Sequence, residues 1–235
     1  MQFIAPSNIQ NRFLRALPGK LLDELLPELQ PVPLPVKQVL HRPGDHLDFA
    51  YFPETGMISV VVDLEDGGTI EVGTIGNEGV APSSLVLGGE VARSEAMVQI
   101  GGSALRMPAG TLTHRLDANQ PLRRHFARYT EIFHQQVAQT AACNGAHSVD
   151  QRCARWLLLA RHRIGSDDLP LTQEFLSMML AVRRAGVTMA AGALQQAGLI
   201  RYRHGQITVL DPNRLEEVSC ECFRLIKDQE SELLH

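Results

Sequence analysis

The chain has 235 residues, 22 Lys and Arg against 26 Asp and Glu, and 44% hydrophobic residues. That composition supplies folded cores and excludes a disordered chain, and the length suits two modest domains or one large one. No apolar run reaches the roughly 18–20 residues of a membrane span, and the opening MQFIAPSNIQNRF lacks a basic patch followed by an apolar stretch. Neither a membrane helix nor a signal peptide is expected, and the expected location is the cytoplasm.

The net charge of −4 is unevenly spread. Residues 1–120 hold 8 Lys/Arg against 14 Asp/Glu, residues 121–149 hold 3 against 1, residues 150–210 hold 8 against 4, and the tail 211–235 holds 3 against 7. A basic stretch in an acidic chain points to a localised polyanion site.

Residues 7–30 read as short helices. Leu14, Leu17, Leu21, Leu22, Leu25 and Leu29 recur at helical spacing, punctuated by Pro18 and Pro27. PVPLPV (31–36) ends helix formation, because proline lacks the amide donor. From Val36 to about Met107 the pattern is one of short strands bounded by turn residues. ISVVVDL (58–64), Glu65-Asp66-Gly67-Gly68 and TIEVGTI (69–75) form a hairpin signal. Pro43-Gly44-Asp45, Thr55-Gly56, Gly76-Asn77 and Gly88-Gly89 mark further corners, and AMVQI (96–100) and ALRM (104–107) read as two strands around Gly101-Gly102. This spacing implies an antiparallel barrel or roll over 1–120.

Residues 108–142 read as helical. Leu122, Phe126, Tyr129, Phe133 and Val137 form a narrow stripe. It suits a helix lying on its own β-domain or a dimer seam, with 121–145 as dimerisation helix and hinge. Cys143-Asn144-Gly145 is expected to break the helix, with Gly145 as a left-handed cap. Ser148 and Gln151 then have the spacing of a capping box and open a C-terminal domain over 146–235.

Within that domain Thr172 is a natural N-cap for a helix at Gln173–Leu180, with Phe175, Leu176 and Met179 inward. Ala181-Val182-Arg183 reads as a tight turn. A second helix at Arg184–Ala197 would bury Val187, Ala190, Ala191 and Leu194. Two such helices joined by a short turn make a helix-turn-helix. Leu199–Arg203, the His204-Gly205 turn and Gln206–Leu210 add a β-wing. The fold class expected is therefore α+β: an N-terminal antiparallel β-roll, a long helix and a C-terminal winged helix-turn-helix.

The chemistry fits DNA. The start of the second helix would enter the major groove, where Arg183 and Arg184 can fork onto guanine and Thr188 can reach a base or a thymine methyl. Thr172 and Gln173 are placed for phosphates, and Arg201, Arg203 and His204 for the flanking backbone.

The sequence LTQEFLSMMLAVRRAGVTMAAGALQQAGLI with its wing, and FAYFPETGMISVVVDLEDGGTIEVGTIGNEG before it, resemble the Crp/Fnr family of transcription regulators over nearly the whole chain. The resemblance implies a cyclic-nucleotide-binding-like β-roll, a dimerisation helix, and a homodimer on a palindromic site. It implies double-stranded DNA and RNA polymerase as partners. The family's Arg-Glu-Thr-Val-x-Arg pattern is here Arg184-Ala185-Gly186-Val187-Thr188-Met189, so the first Arg and the Val are kept and the Glu and second Arg are not. Cyclic-nucleotide binders carry Gly-Glu and then Arg-Ser/Thr. By resemblance Glu78 would hold a ribose hydroxyl, and Arg93 with Ser94 a phosphate. The Gly-Glu order is broken in Gly76-Asn77-Glu78-Gly79, so the other reading is a scaffold without effector or cofactor. An iron–sulfur sensor would need cysteines near the N-terminus, and none precedes Cys143.

Cys143, Cys153, Cys220 and Cys222 lack the spacing of a disulfide scaffold or zinc ribbon. On a helix Cys220 and Cys222 would point to different faces, so inert thiols are expected and no metal is assigned. The sequence holds no phosphate loop, zinc motif or nucleophile elbow, and no enzyme is expected. An alternative to the regulator is a signal-binding module that controls a partner protein through a degenerate helix-turn-helix.

Overall fold

Asn11 organises the start of the chain. In the computed structural model, which describes residues 5–65 and 67–234 with side chains through Glu232, its side-chain oxygen accepts from the Leu14 amide at 2.9 Å and caps α1 (Arg12–Arg15). Its amide nitrogen donates to the carbonyls of Pro53 and Gly79 at 2.8 and 3.0 Å. α2 (Gly19–Leu25) follows Pro18, and Leu14, Leu17, Leu22, Leu25 and Leu29 of the expected stripe are buried.

The proline-rich segment is a strand, β1 (Gln30–Leu34), where the sequence predicts only a helix stop. Pro31 and Pro33 stand at alternate positions on an edge strand, so both nitrogens can face away from the ladder. The partner of β1 is β5 (Glu95–Pro108), antiparallel from Gln30↔Arg106 to Leu34↔Gly102. β2 (Val39–His41) pairs with the same strand at Val39↔Met97 and His41↔Ala96. The sheet order is β1-β5-β3-β4, with β3 at Phe49–Asp63 and β4 at Thr69–Ile75. The predicted hairpin is thus present, closed by Leu64 N–H to Gly68 O at 2.7 Å and the Thr69 hydroxyl to Asp63 at 2.6 Å. Asp66, part of its expected turn, lies outside the described residues, as do residues 1–4 of the opening segment.

Two expected breaks are not breaks. Gly56 lies inside β3, and Gly101-Gly102 lie inside a single β5 that joins the two strands read from the sequence. The glycines answer a close crossing of these strands. A Cβ on Gly102 would stand 2.3 Å from Thr55 O, and one on Gly56, at φ +80°, 2.5 Å from Ile100 O.

The segment after β5 is two helices, α3 (Ala109–Ala118) and α4 (Gln120–Ala146), separated by Asn119. α4 runs straight through Cys143-Asn144-Gly145, against the expected break. Gly145 is absent from the positive-φ residues, so it is a helical residue and no cap. The capping box is as expected: Ser148 accepts from the Gln151 amide, and α5 (Val149–Ile164) ends on Gly165 at φ +67°.

Two compact units result, Met1–Val60 with Thr74–Gln135 and Gln229–His235, and Val61–Gly73 with Gln136–Asp228. In the first, Phe13 meets Phe126 edge-on at 4.8 Å and Tyr129 at 5.2 Å between ring centroids. Leu122, Phe126 and Tyr129 are therefore core residues of their own unit, which decides the stripe against a dimer seam at those positions.

In the second unit, α6 (Gln173–Met179) and α7 (Arg184–Gln196) follow α5, with α7 packed on both α5 and α6. β7 (Ile200–Arg203) and β8 (Gln206–Val209) form the wing, and β6 (Asp168–Leu169) adds a third strand on β8. α8 (Pro212–Val218), capped by Asp211, and α9 (Cys222–Leu234) complete the chain.

A helical Gly145 makes a sign prediction. Nothing lies within 4 Å of a Cβ there, so Gly145→Ala raises stability in urea titration by a few tenths to about 1 kcal/mol. A left-handed cap at this position would instead make the substitution destabilising by about 1 kcal/mol.

Candidate nucleic-acid interface

The helix pair begins at Thr172. Its hydroxyl accepts from the Phe175 amide at 3.3 Å, the N-cap expected from the sequence. Phe175, Leu176 and Met179 turn inward, as do Val187, Ala190, Ala191 and Leu194 of α7. The observed limits, Gln173–Met179 and Arg184–Gln196, agree with the expected ones to within a residue. Between them Ala181 takes a left-handed conformation at φ +49°, and Val182 N–H bonds Ser177 O at 3.0 Å. This turn sets Arg183 as the N-cap of α7.

Inward burial of one side leaves the other to solvent. Arg183, Arg184, Ala185, Thr188 and Met189 are exposed. The Thr188 hydroxyl donates to Arg184 O at 3.0 Å and lies 3.4 Å from Gln173 Oε1, so α6 and α7 present their polar ends together. The wing turn joins them: a Cβ on Gly205 would stand 3.7 Å from the Thr172 methyl. Gln195 Oε1 accepts from the Tyr202 amide at 2.7 Å and ties the end of α7 to β7. Arg201 and Arg203 are exposed on the wing, Arg201 reaching Thr208 at 3.5 Å. The eight residues singled out for DNA, His204 in the wing turn among them, thus lie on the first turns of the helix pair, its connecting turn and the wing.

The basic stretch is smaller at the surface than in the sequence. Arg152, Arg155 and Arg163 of α5 are buried, and Arg161 pairs with Asp167 at 2.5 Å. Their charge adds little to a polyanion surface, and Arg183, Arg184, Arg201 and Arg203 remain as the exposed arginines of 150–210.

Two features escape the sequence reading. Met189 is 73% exposed on the outer side of α7, an apolar tip suited to a thymine methyl. Its signal is present in the sequence, since the inward set 187, 190, 191 and 194 already places 189 outside. The second is a buried hydrogen bond from the Trp156 indole to Glu71 at 2.7 Å, which anchors the tip of the β3–β4 hairpin within this unit. Residues 85 apart in sequence give no local sign of it.

The effector residues are placed differently. Both carboxylate oxygens of Glu78 accept from the Gly76 amide, at 2.9 and 3.0 Å, and the side chain is buried. Arg93 is exposed, and the Ser94 carbonyl lies 3.1 Å from His41 Nδ1. Glu78 is turned back onto its own loop.

Comparison with known proteins agrees with this geometry. The family model described as the Crp-like helix-turn-helix domain matches residues 151–218. No curated protein sequence matches the chain. Among solved structures, FixK2 from Bradyrhizobium japonicum superposes with a TM-score of 0.67 at 15% identity, over 82% of this chain and 98% of its own. TTHB099, a CRP-family transcriptional regulator from Thermus thermophilus, gives 0.67 at 18% identity, over 80% and 96%. CLP of Xanthomonas campestris, described as a c-di-GMP-responsive global regulator, gives 0.65 at 14%, over 82% and 99%. Residues 151–218 are a Crp-like helix-turn-helix domain, and the chain has the fold of the Crp/Fnr regulators.

The cap makes a test of how firmly the pair is held. Thr172→Ala removes one acceptor from the first turn of α6 and lowers stability by about 0.5–2 kcal/mol, read by urea unfolding. An unchanged midpoint would mean that the cap does not hold α6.

Proposed function

We propose that the protein is a cytoplasmic homodimer that reads a palindromic DNA site, with Arg183 and Arg184 as the main base-reading residues and RNA polymerase as the machinery it regulates. The observation that carries this is the pair of exposed arginines at the leading end of a helix whose other side is fully packed. Thr188 and Met189 follow on the same side of α7. Thr172, Gln173, Arg201 and Arg203 take the phosphates.

The dimer rests on α4, by a stripe other than Leu122–Tyr129. Ala127, Glu131, His134, Ala138 and Ala141 stand at intervals of 4, 3, 4 and 3, away from the buried positions of the helix. That spacing is a seam, and its alanines admit close approach of a second helix. The β-roll serves as the scaffold of α4, since Glu78 is committed to its own loop. A helix pair with its cap, turn and exposed arginines in place gives no support to the degenerate reading.

Purified protein mixed with genomic fragments will select sites by footprinting, with affinity falling steeply as salt rises. Replacing both Arg183 and Arg184 with Ala will abolish specific footprints while the dimer persists in sedimentation. A surviving footprint would remove these residues from the reading role, and a monomer with full DNA binding would remove the dimer.

A further inference from the structure

Four side chains converge from two distant segments. The thiols of Cys143, Cys220 and Cys222 and the imidazole of His147 bring their ligand atoms within 4.8 Å of one another. Cys143 Sγ lies 3.5 Å from Cys220 Sγ, and Cys222 Sγ lies 3.6 Å from His147 Nδ1. The three cysteines are buried, and His147 is half-buried.

The backbone explains the convergence. Cys143 lies in the last turn of α4, and His147 N–H bonds Cys143 O at 3.1 Å, so the helical turn continues to His147 and both side chains share one side. Cys220 does not lie on a helix. Ser219 ends α8 in an extended conformation, Phe223 N–H bonds Cys220 O at 3.2 Å, and α9 begins only at Cys222. The expectation that residues two apart must diverge presumes a helix through both, and the turn removes that objection.

Two edges of the cluster are those of a tetrahedron, and the other pairs lie within 4.8 Å. With metal–sulfur bonds of about 2.3 Å and metal–nitrogen bonds of about 2.0–2.1 Å, ligand–ligand edges come to about 3.8 Å for two sulfurs and about 3.5 Å for sulfur and nitrogen. The two measured edges match to within a few tenths of an ångström. A disulfide would need its sulfurs about 2 Å apart and would leave Cys222 and His147 without a role.

The surroundings are those of a metal site as well. His147 turns Nδ1 to the sulfurs, and its Nε2 lies 3.2 Å from the Glu221 carboxylate. A carboxylate on the far nitrogen is the usual partner of a metal-bound histidine, fixing the tautomer and the ring. Gln139 Nε2 donates to Cys222 Sγ at 3.0 Å, a contact that a metal-bound sulfur can keep. The Arg155 guanidinium lies within electrostatic reach of Cys143. Arg155 is buried, its Nε has no hydrogen-bond partner, and it forms no ion pair with a carboxylate among the described residues. Three thiolates, a neutral imidazole and a divalent ion carry a net charge of −1, which gives this buried cation its counter-charge.

We propose that Cys143, His147, Cys220 and Cys222 form a Cys3His site for a thiophilic, tetrahedral divalent cation of the zinc class. Binding forms three metal–sulfur bonds and one metal–nitrogen bond, and the thiol protons leave to solvent. The site fastens the end of α4 to the start of α9. Cys143 and Cys220 are 77 residues apart, so α5, the helix pair, the wing and α8 all lie within the closed loop. The ion therefore stabilises the DNA-reading domain as a whole.

The test uses the full chain, expressed with zinc and purified under reducing conditions without chelator. Metal analysis will find one zinc per chain. Exchange for Co(II) will give the visible ligand-field bands of a tetrahedral site with sulfur-to-metal charge transfer in the near ultraviolet. Glu221→Gln will weaken zinc binding about 10–100-fold, Cys143→Ser and Cys220→Ser will lose it, and Cys153→Ser will keep it. If a cysteine variant does not fold, the Co(II) spectrum of the unaltered chain and the Glu221→Gln affinity decide alone. A reduced chain that takes up neither zinc nor Co(II) overturns the proposal, as does a metal-free chain whose Cys143 and Cys220 are found as a disulfide and which still binds no metal after reduction.

Discussion

The burial of Val187, Ala190, Ala191 and Leu194 against α5 and α6 sets what the rest of the helix-turn-helix unit can do. It fixes the rotation of α7 about its own axis, and with it the set of side chains that meets solvent. The connecting turn holds Ala181 left-handed, at a cost of about 1–2 kcal/mol. Burial of Val187 and Leu194 contributes about 1.5–3 kcal/mol each, which outweighs that strain. The two alanines between them keep the helices close. Arg183 and Arg184 are exposed because the apolar side of the same helix has nowhere else to go.

The helix pair is legible in the sequence because its signals are local. Thr172 and the 175/176/179 and 187/190/191/194 spacings each act within a few residues. The wing is legible for the same reason, His204-Gly205 taking the positive φ values its turn requires. Even so, β6 escapes notice, because a two-residue strand exists only through its partner β8.

What the sequence hides depends on partners far away. The Leu122–Tyr129 stripe fits a dimer seam and a domain core equally by period, and only Phe13 and Phe52 in the folded unit decide between them. Charge counts treat Arg152, Arg155 and Arg163 as surface, although α5 carries them inward. Glycine suggests a chain break at 56, 101, 102 and 145. At the first three it permits strands to cross closely, and at 145 it is an ordinary helical residue. Cys220 and Cys222 look divergent only if both sit on one helix, whereas α9 starts at the second of them. In each case the residue type is plain and its surroundings are not.

Where on DNA the leading end of α7 makes contact is the central question. Methylation interference at guanine N7 on a selected site reads this directly. Two clusters of interfering guanines should appear in successive major grooves, about 10 base pairs apart centre to centre, both lost when Arg183 and Arg184 are replaced by Ala. Binding that is indifferent to guanine methylation, or a pattern that persists in the double variant, would contradict a reading role for these arginines.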